Sequence, residues 1–385
     1  MSWLHIRDAR VMAPDDRGTC DVLAWKDRIV DVGQSLTAPA GAEIDAVDAD
    51  GRVLMPGLVD PHIHIGGASG SGGPVQRTPD LPTSRILQAG VTTVVSPLGT
   101  DSLSRSIPGL LMRAAAASEE GISAYVYTGG WRNPVPTLTG DPQADVAYID
   151  RVLGIKVAIA EPSAPPFSAA DLAHLAHAAV VGGRLAGKQA VLHVHIGDRP
   201  EGLELLREAV QSTGLPTDRF VATHVNRKPN LLAQAIEFAK AGGSVDITAQ
   251  VRADEGYPDA VSPVEAVRQC LDGGVPIERI TISSDGGASY PRPGGGLQMV
   301  GPGGIFETLK TLVVQGQTWE AVLPLATSSP ANLLGLGHKG RVVEGGDADL
   351  VLLDRSDAID RVWSRGRLMI EGGRPVVPGY FESPR

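Results

Sequence analysis

The chain has 385 residues, 42% of them hydrophobic, enough for a large core and for one big domain with a smaller one beside it. Lys and Arg total 34 against 44 Asp and Glu, and the net charge of -10 argues against a nucleic-acid or anionic-membrane partner and for a small molecule. No run of about 18 apolar residues spans a membrane, MSWLHIRDAR lacks an apolar leader stretch, and Cys20 and Cys270 stand far apart, so a reducing, cytoplasmic setting is expected.

Residues 1–56 open with short alternating segments, LHIRDARVMA and CDVLAWKDRIVDVG, separated by turn residues, which predict β-strands. From residue 57 the pattern changes to apolar runs of strand length: 57–65, 90–98, 122–129, 154–161, 189–197, 219–225, 243–248 and 279–285. Amphipathic stretches of helix length lie between them, among them PGLLMRAAAASEEG, AADLAHLAHAAVVGGRL and NLLAQAIEFAKAGG. Several close on Gly, which tolerates the left-handed position after a helix. Continuous apolar strands alternating with helices imply a parallel sheet, and eight repeats imply an α/β fold closed as a (β/α)8, TIM-like barrel over 57–339. A doubly wound open sheet is disfavoured, because no G-x-G-x-x-G follows an early strand. Residues 340–385 return to alternating segments, DADLVLLD and RVWSRGRLMIEGG, so 1–56 and 340–385 are expected to build one small β-sandwich jointly.

In such barrels the chemistry sits where strands end. DPHIH places His62 and His64 two apart at the first strand end, so that alternation aims both rings to one side. The plain alternative is two polar residues bonded to backbone or water. Later strand ends add Lys156, His193, His195, His224 and Asp285. Imidazoles with a carboxylate suit zinc, and a hydrolytic site keeps open positions for water and substrate. His174 and His177 fall on an outer helix and His5 and His338 in the terminal regions, where packing or surface roles suffice.

These residues, with GLVDPHIH, AGVTTVVSPLGTDSLSRS, THVNR and ITISSDGGAS, resemble the amidohydrolase superfamily and within it the isoaspartyl (β-aspartyl) dipeptidase family, through nearly the whole barrel. The resemblance implies two zinc ions per subunit, one held by His62, His64 and Asp285 and the other by His195 and His224. Lys156, carboxylated by CO2, would bridge them as a carbamate. Asp285 would also be the catalytic group, taking a proton from the bridging hydroxide as it attacks the carbonyl and passing it to the leaving nitrogen. A barrel salt bridge for Lys156, or a helix cap for Asp285, would explain neither the other ligands nor their spacing. Of His193 and His195, the one preceding IGD matches the family ligand; His193 is left as a deeper barrel residue or a partner behind the ligands.

The substrate positions are less faithful. Ser71 stands where the family has an acid for the substrate ammonium, Trp131 where it has a carbonyl-polarising Tyr, and Ser163 where an Arg grips a carboxylate. Thr100, Arg227 and Ser289 match substrate-contacting positions, and Arg227 suits a bidentate carboxylate grip. Arg252 or Tyr257, in the long loop after the seventh strand, is a candidate to replace a lost contact. The expectation is a metal-dependent hydrolase cutting an amide in a small, carboxylate-bearing or dipeptide-like substrate, with altered specificity and a homo-oligomeric state. A genuine β-aspartyl dipeptidase, a lactam, lactone or cyclic-amide hydrolase, and a non-catalytic scaffold are the alternatives.

Overall fold

The computed structural model describes residues 2–70, 72–292 and 295–382, so Ser71 lies outside the described residues. The N-terminal region forms β1 (Trp3–Met12), β2 (Asp16–Trp25), β3 (Arg28–Gly33), β4 (Ile44–Asp48) and β5 (Val53–Pro56). Eight parallel strands follow: β6 (Leu58–Asp60), β7 (Val91–Ser96), β8 (Ser123–Gly129), β9 (Val152–Ile159), β10 (Val191–Ile196), β11 (Phe220–Thr223), β12 (Ser244–Thr248) and β13 (Ile280–Ser283). They pair in sequential order from β6 to β13. All but β8 are buried along their whole length, which is why they read as unbroken apolar runs.

The barrel closes just past the ends of β6 and β13. Asp285 N–H donates to His62 O at 3.0 Å and His64 N–H to Gly286 O at 2.7 Å. The eight strands thus form a nearly closed, TIM-like barrel, as the eight apolar runs predict. Helices cover its outside: Pro229–Lys240 buries Leu231, Leu232, Ala235, Phe238 and Ala239, one stripe at helical spacing. Ser168 and Asp171 form a capping box at the start of Ala169–Leu185, and the helix Glu204–Thr213 ends on Gly214 in the left-handed region.

After the hairpin of β14 (Ser289–Pro291) and β15 (Leu297–Met299), the chain ends with β16 (Leu350–Leu353), β17 (Ile359–Ser364), β18 (Arg367–Glu371) and β19 (Arg374–Pro375). β16 pairs with β5, so both ends of the chain share one nine-stranded sheet. β1 changes partner along its length: Trp3–Arg7 pair with β4 and Arg10–Val11 with β5. Asp8 lies between them with φ 53. The branches enclose a core of their own, including Ile6, Val22, Leu54, Leu350 and Trp363.

Candidate metal centre

The predicted ligands lie at or just past the carboxyl ends of their strands, except Lys156, which sits within β9 three residues before its end. β6 stops at Asp60, short of the expected 57–65, because Pro61 has no N–H for the ladder and His62 N–H turns back to Asp60 Oδ1 at 3.1 Å. The convergence of His62 and His64 therefore comes from this turn rather than from strand alternation. His224 likewise follows β11 in the left-handed region, φ 65, and Asp285 follows β13 at φ 54. Strain of this kind at non-glycine residues is characteristic of functional sites.

The donors converge. His62 Nε2 lies 3.3 Å from His64 Nε2, and Asp285 Oδ1 lies 3.6 and 3.2 Å from those atoms. Donors about 2.1 Å from one tetrahedral ion sit roughly 3.4 Å apart, so this triangle has the dimensions of a coordination site. His62, His224 and Asp285 also offer ligand atoms within 4.8 Å of one another. The Pro97 carbonyl can only accept, so the contact at 3.1 Å places a proton on His64 Nδ1 and leaves a lone pair on Nε2 facing the Asp285 carboxylate. Two lone pairs so placed fit a shared cation. His195 and His224 stand ring against ring at 4.5 Å, and His224 Nδ1 is fixed by Thr248 Oγ1 at 2.7 Å.

The electrostatics agree. Burial first, and then neighbouring His, Lys or Arg charges, hold His62, His195 and His224 well below the usual imidazole range, so they are neutral. Burial alone would raise Asp285, but the surrounding His64, His224 and Arg227 side chains outweigh it and keep the carboxyl low. Lys156 is fully enclosed, and burial lowers its ammonium to about 7. Its Nζ donates to Leu98 O at 3.2 Å and sits 5.3 Å from the Trp131 ring centre.

Among the substrate positions, Trp131 stands edge-on to His195 at 4.7 Å, and Ser289 Oγ pairs with Ser69 Oγ at 2.6 Å. Thr100 is half-buried, while Ser163 is exposed. Arg227 donates to Glu161 Oε2 at 3.2 Å and lies 5.6 Å from the Tyr257 ring centre. Of the two loop candidates, Tyr257 therefore reaches the site through Arg227. Arg252 is held by Gln250 and Glu307 instead. His174 and His177 are exposed on their helix, and His5 pairs with Asp21, as packing or surface residues would.

Three acidic features escape the sequence pattern. Glu161 Oε2 lies 3.5 Å from His195 Nε2, and Glu161 lines a cavity of about 370 Å³ together with Pro165, Phe167, Arg199 and Leu205. Its position five residues past Lys156, just beyond the end of β9, was the available signal. Asp60 accepts N–H groups of both His62 and Ser284, tying the two ends of the barrel together, and burial raises it to about 8. Asp246 accepts hydroxyls of Thr223, Thr281 and Ser283 beneath the centre, and burial raises it to about 6. His193 lies behind His62, its Nε2 2.9 Å from His62 Nδ1.

A barrel carrying imidazoles, a carboxylate and a buried lysine at its strand ends is the frame of a metal-dependent hydrolase acting on C–N bonds. The chain belongs to the amidohydrolase family, whose profile matches residues 53–369. Among solved structures it is similar to the β-aspartyl dipeptidase of Fervidobacterium islandicum AW-1 in complex with β-Asp-Leu dipeptide, with a TM-score of 0.90, 31% identity and full coverage of both chains. The D-hydantoinase (dihydropyrimidinase) of a Thermus species shares the fold at a TM-score of 0.70, with 16% identity over 99% of this chain and 98% of its own. Among curated proteins, a dihydroorotase of Lactiplantibacillus plantarum is 24% identical over 91% of this chain and 88% of its own. No helix among the described residues is long and apolar enough to cross a membrane.

Proposed function

We propose that this chain hydrolyses an amide bond in a small, carboxylate-bearing, dipeptide-like substrate, with a specificity shifted from that of isoaspartyl dipeptidases. His62, His64, Lys156, His195, His224 and Asp285 would hold two zinc ions, with Lys156 as the carbamate. The observation that carries the substrate reading is Arg227: its side chain is 10% exposed, yet its Nε has no partner among the described residues. A buried guanidinium N–H left unpaired is costly, and a substrate carboxylate beside the metal centre supplies the acceptor.

When bound, the metal pair supplies Lewis acidity, polarising the carbonyl and lowering the pKa of water. The chain's own groups do the rest. Asp285, held ionised against His64 Nε2, is placed to accept the proton of the attacking water and return it to the departing nitrogen. Lys156, with its proton weakly held, attacks CO2 as the free amine; the N–C bond forms, the amine proton leaves to solvent, and an anionic carbamate remains. Trp131 walls the site at His195 with an indole in place of a phenol. The two unpaired cysteines support a cytoplasmic location, and the family resemblance alone supports a homo-oligomer.

A second reading, a genuine β-aspartyl dipeptidase, is favoured by Glu161. Its Oε1 makes no hydrogen bond among the described residues, so a free carboxylate oxygen stands beside the Arg227 guanidinium, ready for an ammonium. Zinc-loaded enzyme assayed on β-Asp-Leu, N-acyl amino acids and cyclic amides decides. We expect N-acyl amino acids to be preferred. Efficient β-Asp-Leu cleavage would establish the second reading, dominant ring opening would move the assignment to cyclic amides, and inertness toward all three would leave a scaffold.

A further inference from the structure

His193 takes no part in the reaction described above, yet it touches a ligand. Its ring is 1% exposed, stacked on Tyr127 at 4.8 Å with an interplanar angle of 15°, and its Nε2 lies 2.9 Å from His62 Nδ1. Nothing in the reaction requires an imidazole at that depth. A leucine would fill the layer with less desolvation than a buried imidazole.

The hydrogen-bond logic determines what it does. His62 turns Nε2 toward His64 Nε2 and Asp285 Oδ1, so Nε2 is its ligating atom and the proton of the neutral ring resides on Nδ1. The atom 2.9 Å away must then accept, which makes His193 Nε2 the acceptor and moves the His193 proton to Nδ1. That N–H has no hydrogen-bond partner among the described residues, and Asp246, clasped by three hydroxyls, offers an oxygen within 4.8 Å of the same pair of imidazoles. A second ion shared by His62, His193 and Asp246 is the rival arrangement. The spacing speaks against it: 2.9 Å is a hydrogen bond, whereas the donors of the metal centre stand 3.2 to 3.6 Å apart.

We propose that His193 is a positioning residue that fixes the tautomer and ring plane of His62 and so sets the affinity of the metal centre, with Asp246 as the buried countercharge beneath it. The inference rests on the reading of His62 as a ligand. Partners of this kind behind a metal-bound histidine are worth about 10- to 100-fold in affinity.

The test is zinc content after dialysis against buffered free zinc, read beside the melting temperature of the metal-free protein. His193→Phe keeps the stack on Tyr127 but removes the acceptor, and it is expected to bind zinc about 10- to 100-fold more weakly. His193→Gln, whose carbonyl reaches the place of Nε2, is expected to regain most of that loss. Wild-type affinity in the Phe variant, or equal loss in both variants, overturns the proposal. If the Phe variant fails to fold, the Gln variant decides: zinc binding close to wild type supports the role and its loss overturns it. His62→Ala separates the two levels, because unchanged zinc binding there would refute the ligand reading itself.

Discussion

Lys156 shows how a single side chain joins stability to function. Its ammonium is lowered to about 7 by burial, against 10.5 for a free lysine. Between those values the unfolded chain binds a proton that the folded, metal-free chain does not, so stability rises with pH across that window. Urea unfolding of metal-free protein in CO2-free buffer at about pH 7.5 and about pH 9.5 should show this gain, and Lys156→Met should flatten it. The same shift governs the carbamate. Below about 7 the amine is protonated and cannot take CO2, so reactivation by zinc and bicarbonate should climb as pH rises through that value and be absent in the Met variant. The type and place of His195, His224 and Asp285 could be read from the sequence, because each lies at or near the end of an apolar run, and Lys156 stood out as the charge that interrupts one. The role of Glu161 could not, since nothing in the sequence says that its carboxylate meets both His195 and Arg227.

The elements place these side chains by close backbone approach as much as by pairing. Gly129, at the end of β8, has φ +91, and a Cβ there would lie 2.3 Å from Lys156 O. The neighbouring strand therefore carries its lysine against a position that only glycine can fill. Gly129→Ala should cost at least about 2 kcal/mol and push β9 outward, seen as a lower melting temperature together with reduced zinc retention. An unchanged melting temperature would show that the strands can separate without penalty. The eight strands were legible because a parallel barrel strand buries both faces and so needs an unbroken apolar run. The exact end of β6 was not, because Pro61 and the bond from His62 N–H to Asp60 act after the apolar pattern has ended.

At the scale of the molecule, the terminal sheet is fastened to the barrel through a buried charge. Lys339 is 2% exposed, and its Nζ reaches Asp347, Asp349 and the barrel residue Ser123, each at 2.6 Å. Burial disfavours that ammonium, but Asp349 and Asp347 outweigh it and raise its pKa. Lys339→Met would leave the buried Asp349 without its cation, while Asp347 keeps Arg28, at a cost of about 3 to 5 kcal/mol. Calorimetry should show a single transition shifted down if sheet and barrel unfold together, and two transitions if this joint is what couples them. The sequence by itself determined the eight-stranded barrel, the β-rich ends and the residue types of the metal centre, because burial on both faces and strand-end placement leave a periodic trace in one dimension. Only the tertiary structure decided that His193 stands behind His62, that Glu161 stands against Arg227, and that Lys339 joins the two units. Those facts depend on groups meeting across tens to hundreds of residues, and no local pattern in the chain records such a meeting.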